Sequence, residues 1–290
     1  MIIIKILGSG SGYKHLPSWN SKFVVTDGDN YTHAIFFQHS GGSIPKLNIP
    51  KENVIGVAGE PPPYIINIGN MGLNKANFFN QLKSHIGYFL VGGVGNRYIP
   101  RELPFVGLHV NAFGGGFVGC QAEKKKTISI MISQKSFMSS WKNKAPGYNY
   151  RRELVNNILH HSLPVDIYGN GCAYLPVDKR VKGEFVNDEP YKNYRYTIAI
   201  ENFSYPHYIS EKALNPIRYN TIPVYWGCKN INKYYRNSCV ELSGNLTQDL
   251  RLILDITKHP QKYRRSLKAA QNDILFKNNV ITRAIQIWKR

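Results

Sequence analysis

Residues 194–227 read YRYTIAIENFSYPHYISEKALNPIRYNTIPVYWG. The two ends, YRYTIAI (194–200) and IPVYWG (222–227), are apolar runs rich in β-branched and aromatic residues, and both are predicted strands. Between them, Ser210 is a residue type that caps a helix N-terminus, and the residues after it predict a helix. A strand, a polar loop, a helix and a second strand form a right-handed crossover, which makes the two strands parallel. The surrounding sequence repeats the alternation. TISIMIS (127–133) is a strand, and RRELVNNILHHS (151–162) is a helix with Leu154, Val155, Ile158 and Leu159 on one face. VDIYG (165–169) is a strand closed by glycine, and LTQDLRLILDITKHPQKYRRSLKAAQ (246–271) predicts one long helix. The C-terminal half is therefore a doubly wound α/β domain, whose ligands lie at the carboxyl ends of the strands. Glu201 and Asn202 close the strand 194–200 at that end, and Glu211 and Lys212 fall in the first turn of the next helix.

Outward from this stretch, residues 1–120 are Gly- and Pro-rich and predict short strands at 2–7, 22–26, 33–38, 53–59 and 85–93, with a helical pattern between 67 and 82. A glycine cluster leading into KKK (124–126) marks a boundary, so the expected organisation is 1–123, 124–272 and a C-terminal helix, 273–290, packing back on the N-terminal domain. The chain of 290 residues carries 37 Lys and Arg against 18 Asp and Glu, a formal net charge of +19. That balance favours polyanions, phosphorylated ligands or weak peripheral association with an anionic membrane face. A hydrophobic fraction of 42% with 12% aromatic residues excludes a disordered or collagen-like chain. Cys120, Cys172, Cys228 and Cys239 form no CxxC pair and have no histidine at ligand spacing, which argues against a zinc site and a disulfide scaffold. MIIIKILGSGSGYKH has no basic leader before its apolar run and reads as a strand, and no run reaches 18 apolar residues. The expectation is a cytoplasmic protein without a transmembrane segment. The Lys-, Asn-, Ile- and Tyr-rich composition suggests an AT-rich coding sequence of bacterial or viral origin. A basic nucleic-acid-binding protein is the rival reading, but the basic residues are scattered and match no binding motif, so no nucleic-acid partner is expected.

Three local motifs have structural explanations. LGSGSG (7–12) follows a strand but lacks the GxGxxG spacing, and it reads as a turn. Asp27-Gly28-Asp29 spells a DxD metal motif, yet between two short strands Asp-Gly reads as a hairpin turn. His160-His161 ends a helix, where imidazolium suits the dipole.

The stretch 194–227 resembles the donor-binding signature of the family 10 glycosyltransferases, the α1,3/4-fucosyltransferases. The matching residues are Arg195-Tyr196, Glu201-Asn202, Tyr208, Ser210-Glu211-Lys212 and Ile222-Pro223-Val224-Tyr225-Trp226-Gly227. AGEPPPY (58–64) resembles the family's block carrying the general base, which implies Glu60. YRRELVNNILHHSLPVDIYGNG (150–171) resembles the block whose arginine holds the donor diphosphate. Counting back from VDIYG implies Arg152, with Arg151 as the alternative. The sequence departs from the family pattern in Ser210, where threonine is usual, and in Pro216, six residues into the expected helix.

The resemblance implies a GT-B architecture, two Rossmann-like domains facing across a cleft, with acceptor bound by the first and nucleotide sugar by the second. It implies inverting transfer of L-fucose from GDP-fucose to a glycan hydroxyl, on an oligosaccharide or glycoprotein. A relative using another donor such as UDP-xylose is the alternative. Arg152, Arg195, Glu201, Asn202, Tyr208, Glu211 and Lys212 are the implied donor-binding residues and Glu60 the catalytic base. Arg152 and Lys212 take the role of a metal on the diphosphate, so no metal ligand and no cofactor beyond the co-substrate are expected.

Overall fold

The computed structural model describes residues 1–8, 23–37, 47–58, 88–91, 123–138, 145–185 and 188–289. The chain divides into two compact units. One comprises Met1–Gly116, Tyr205–Ser210 and Asp273–Arg290, the other Phe117–Ser204 and Glu211–Asn272.

The first unit holds a parallel sheet of β1 (Ile2–Gly8), β2 (Phe23–Thr26), β3 (His33–Phe37), β4 (Val54–Ala58) and β5 (Tyr88–Val91), in the order β2-β1-β3-β4-β5. Its strands read as near-continuous apolar runs, as parallel strands covered on both faces do. Ile4, Ile6, Phe23, Ile35, Ile55 and Val57 form a core with Val280, Ile281, Ala284 and Ile287 of the last helix in the chain, Val280–Trp288. Those four positions fall on one helical face, and Asn279 caps the helix by accepting a hydrogen bond from Thr282 N at 2.8 Å.

Asp27-Gly28-Asp29 is not a hairpin turn. β2 and β3 do not pair with each other; both run parallel to β1, on opposite sides of it. Thr26 is level with Lys5 and His33 with Ile4, so the chain has to step back by only about one residue and a short connection suffices. Asp-Gly chemistry signals a turn but cannot tell a hairpin from such a step. Asp29 is ion-paired with Lys5 Nζ at 2.6 Å.

The second unit holds β6 (Lys126–Met131), β7 (Asp166–Tyr168), β8 (Val181–Gly183), β9 (Tyr194–Ile200), β10 (Ile222–Trp226) and β11 (Val240–Glu241), all parallel, in the order β11-β10-β9-β6-β7-β8. The first strand in sequence and the fourth, β6 and β9, lie side by side. From β6 the chain winds outward one way and from β9 the other. This is the strand order whose crevice between those two strands receives dinucleotides in Rossmann folds.

The described helices of this unit are α1 (Pro146–His160), α2 (Glu189–Lys192), α3 (Glu211–Arg218), α4 (Leu246–Lys258) and α5 (Lys268–Asn272). The region 246–271 is thus not one helix. Proline at 260 cannot continue the hydrogen-bond ladder and disfavours helical geometry in the residue before it, and α4 ends at Lys258. Pro216 stays inside α3, where it has no N–H for the carbonyl of Lys212 four residues back. The helix stops two residues later in a Schellman cap: Asn220 is left-handed at φ 57° and Thr221 N donates to Pro216 O at 2.9 Å.

Candidate active site

At the carboxyl ends of β6, β7 and β9 the second unit encloses a cavity of about 480 Å³. Met131, Ile132 and Ser133 line it from β6, Gly169 and Asn170 from the turn after β7, and Ile198, Ala199 and Ile200 from β9. Arg151 enters from α1, and Glu211, Lys212 and Asn215 enter from α3. Glu184, Phe185, Asp188 and Tyr191 complete the lining.

Three glycines let backbone pack tightly around this end of the sheet. α1 opens with Pro146 at its first turn, where the missing N–H costs nothing, followed by Gly147. Gly147 N donates to Asn202 O at 3.0 Å, and a Cβ on Gly147 would lie 1.8 Å from the Glu201 carbonyl oxygen. Gly169, at φ 108°, lies so close to Ile132 that a Cβ would come within 2.4 Å of its carbonyl oxygen. Gly171 donates to that same oxygen at 3.1 Å.

Arg151 is buried, with its guanidinium donating to the carbonyl of Ile200 and lying 5.5 Å from the Tyr148 ring centroid. Lys212 Nζ is 2.8 Å from Glu211 Oε1 and 4.0 Å from Glu201 Oε2. Burial works against the ammonium form of Lys212, but the carboxylates of Glu211 and Glu201 outweigh burial and the nearby Arg151 charge, holding its pKa above the ordinary lysine value. Glu201 is completely buried and accepts from the Tyr225 hydroxyl at 3.2 Å, while Tyr225 in turn accepts from Cys228 N at 2.9 Å. Burial, then the Glu201 charge, raises the Tyr225 pKa, so its hydroxyl stays protonated and donating. A Cβ on Gly227 would come within 2.4 Å of Glu201 Cγ, so this glycine, directly after β10, leaves room for the carboxylate.

Of the residues singled out from sequence, Glu211 and Lys212 line the cavity, and Glu201 sits behind Lys212 as a buried brace. Asn202 is buried beside it, its main-chain carbonyl engaged by Gly147 and its Oδ1 without a hydrogen-bond partner. Tyr208 is buried in Tyr205–Ser210, the segment that belongs with the first unit. Arg195 is not brought to the cavity. It is exposed at the amino end of β9, donates to Lys124 O at 3.2 Å, and lies five residues, about 16 Å of strand, from Ile200. Arg152 is half-buried on α1 and is not among the cavity's lining; its neighbour Arg151 is. Glu60 lies outside the described residues, as do the pattern 67–82, most of LGSGSG and Cys120.

Sequence reasoning passed over Ser133, Asn170 and Asp188. Ser133 and Asn170 follow strands at their carboxyl ends, which is a usable signal in a doubly wound sheet. Asp188 is left-handed at φ 58° and its carboxylate accepts from the Tyr219 hydroxyl, neither of which a local pattern reveals.

Two cations, Arg151 and Lys212, line the cavity. The carboxylates are either exposed, as Glu184 is, or tied to a partner, as Asp188 and Glu211 are. The arrangement suits a ligand that buries anionic oxygens and presents hydroxyl or N–H donors outward.

An open parallel sheet in this order defines a Rossmann-like unit, with the basic side chains Arg151 and Lys212 at its strand crossover. Residues 121–266, half of the chain, match the model of the glycosyltransferase family 10 (fucosyltransferase) C-terminal region, and the chain belongs to that family. It is 27% identical over 154 residues to alpha-(1,3)-fucosyltransferase B of Drosophila melanogaster, covering 47% of this chain and 34% of the relative. It is 30% identical over 106 residues to putative fucosyltransferase R654 of Acanthamoeba polyphaga mimivirus, covering 32% and 18%. The matches thus span 34% and 18% of the length of these relatives. A solved structure of an α1,3-fucosyltransferase with GDP superposes over 99% of this chain and 89% of that one, with a TM-score of 0.51 at 14% identity. The fold is accordingly that of the GT-B class. No helix among the described residues is long and apolar enough to cross a membrane.

Proposed function

We propose that the chain is an inverting, metal-independent glycosyltransferase that moves L-fucose from GDP-fucose to a glycan hydroxyl. One observation carries the reading: Arg151 and Lys212 line a single cavity at the strand crossover of a family 10 domain. A departing nucleoside diphosphate gains negative charge, and two basic side chains in a secluded site stabilise that charge where other enzymes use a cation. Arg151 offers a planar fork for bidentate contact, and Lys212 a point charge in the first turn of α3. Glu211, which lines the same cavity, is the residue we assign to accept from donor hydroxyls and to favour positive charge developing on the sugar ring. An acceptor hydroxyl is a poor nucleophile at neutral pH and needs a base; on the sequence likeness alone this is Glu60.

The test is a panel of GDP-fucose, GDP-mannose, UDP-xylose and UDP-galactose, read first as a rise in melting temperature and then as transfer to oligosaccharides in excess EDTA. GDP-fucose is expected to stabilise most and to give a product of inverted anomeric configuration. Stabilisation by UDP-xylose but not by GDP-fucose overturns the donor. Activity lost in EDTA and restored by Mn²⁺ overturns metal independence.

A further inference from the structure

Glu184 differs from the other carboxylates that line the cavity. Asp188 accepts from the Tyr219 hydroxyl, and Glu211 pairs with Lys212. Glu184 is exposed, and among the described residues nothing donates to it or pairs with it. Its backbone is fixed all the same. Glu184 follows β8 directly, and Gly183, at φ 79°, accepts at its carbonyl oxygen from Gly169 N at 2.8 Å. The carboxylate is thereby held at the carboxyl end of the edge strand, beside Gly169 and Asn170 of the same cavity lining. Neighbouring strands lie about 4.8 Å apart, so β8 is about 10 Å across the sheet from β6 and the crossover where Arg151 and Lys212 stand. That offset is too long for another phosphate contact and suits the far end of a nucleotide, its base.

We propose that Glu184 selects the nucleobase, its carboxylate accepting from N1–H and the 2-amino group of guanine. This rests on the donor reading above and names the group that makes the nucleotide a guanine one. Guanine presents two adjacent N–H donors on its pairing edge, which two carboxylate oxygens accept side by side. Uracil presents one N–H between two carbonyl oxygens, and a carboxylate repels those oxygens. Phe185 lines the same cavity at 36% exposure and offers a ring face to any base, so stacking there adds affinity without choosing among bases. The choice falls to Glu184.

GDP, IDP and UDP are titrated by calorimetry against wild type and Glu184→Gln in the full chain, and both proteins are melted without ligand. IDP, inosine diphosphate, lacks only the 2-amino group of GDP. Wild type is expected to bind GDP about tenfold or more tighter than UDP, and about three- to tenfold tighter than IDP, the worth of one hydrogen bond. Glu184→Gln keeps the size of the side chain and turns one acceptor into a donor that meets a guanine N–H. It is expected to melt as wild type does, to weaken GDP about tenfold, to leave UDP within about threefold, and to bring GDP and IDP within about twofold of each other. If the variant keeps the wild-type ratios, or if all three nucleotides weaken together, the inference is overturned and the donor reading stands. If wild type does not bind GDP, or binds UDP more tightly, the donor reading falls and the inference falls with it.

Discussion

A Cβ built on Gly147 would sit 1.8 Å from the carbonyl oxygen of Glu201, far inside any tolerable contact. The first turn of α1 thus rests directly on the chain leaving β9, and this seating sets where Arg151, one turn further on, reaches the cavity. Gly147→Ala is expected to force that turn outward and to destabilise the protein by about 1–3 kcal/mol, as overpacking does. Because Arg151 moves with the turn, GDP affinity should fall as well. Urea unfolding and calorimetry check the two effects, and an alanine variant of wild-type stability would mean that α1 does not need this contact.

Adjacent arginines on a helix differ in direction by about 100°. The buried set of α1 includes Arg151, Leu154, Val155 and Ile158, spaced as one face, and Arg152 falls outside it. Arg151→Ala is expected to weaken GDP binding about ten- to hundredfold, the worth of a charge-assisted contact at roughly 1.5–3 kcal/mol, and Arg152→Ala to change it less than threefold. The reverse pattern would move the diphosphate to the other side of α1. Since Arg151 also donates to Ile200, circular dichroism and melting of the variant separate lost binding from lost fold.

Much of this was legible in the sequence, and the failures share a cause. The apolar runs at 127–133, 194–200 and 222–227 became β6, β9 and β10 because a central parallel strand needs apolar residues on both faces. The Glu-Asn and Glu-Lys pairs were placed correctly at a strand end and a helix start. That Arg151 rather than Arg152 shares the buried face of α1 was also readable, since stepping three or four residues back from Leu154 and Val155 lands on Arg151. Counting from a neighbouring motif obscured that phase. The hairpin at Asp27–Asp29 and the unbroken helix 246–271 failed because local propensity carries no strand partner and a helical period can run through a proline. Arg195 lies away from the cavity because a strand has two ends, and only the carboxyl end of β9 lines it.

Asp166, at the amino end of β7, is tied to side chains of three other strands, β6, β8 and β9. It accepts from the Tyr194 hydroxyl at 2.6 Å and pairs with Lys126 at 3.0 Å and Lys182 at 3.5 Å. Burial alone would raise its pKa, but the Tyr194 hydrogen bond and the Lys126 and Lys182 charges together hold it below the usual aspartate value. A carboxyl whose folded pKa is depressed adds stability above its unfolded pKa, about 3.9, and that stability fades as pH falls through the lower folded value. Asp166→Asn should therefore be less stable than wild type by a constant margin between about pH 5 and 8, and the margin should shrink below about pH 4. Urea melts at pH 7, 5 and 3 measure this. An equal margin at pH 7 and pH 3 would show that the carboxylate's charge does not matter.

Glu60 is the assignment that depends most on sequence, through the three residues Gly-Glu-Pro after the apolar run NVIGVAG. β4 (Val54–Ala58) is formed by that run and pairs with β3 in parallel, so Glu60 follows the carboxyl end of a parallel strand by two residues. That is where functional side chains gather in open α/β sheets. Glu60→Gln keeps the shape and removes the proton-accepting charge, which separates chemistry from packing. Removing a general base costs about 10²–10⁴ in rate, so transfer is expected below about one per cent of wild type, with GDP affinity and melting temperature unchanged. A base must also be unprotonated to act, so any residual transfer by the glutamine variant should lose the acidic limb that Glu60 gives the wild-type rate profile. If Glu60→Gln transfers within threefold of wild type, the proton goes to another carboxylate, and Glu52, Glu102 and Asp29 become the next to substitute.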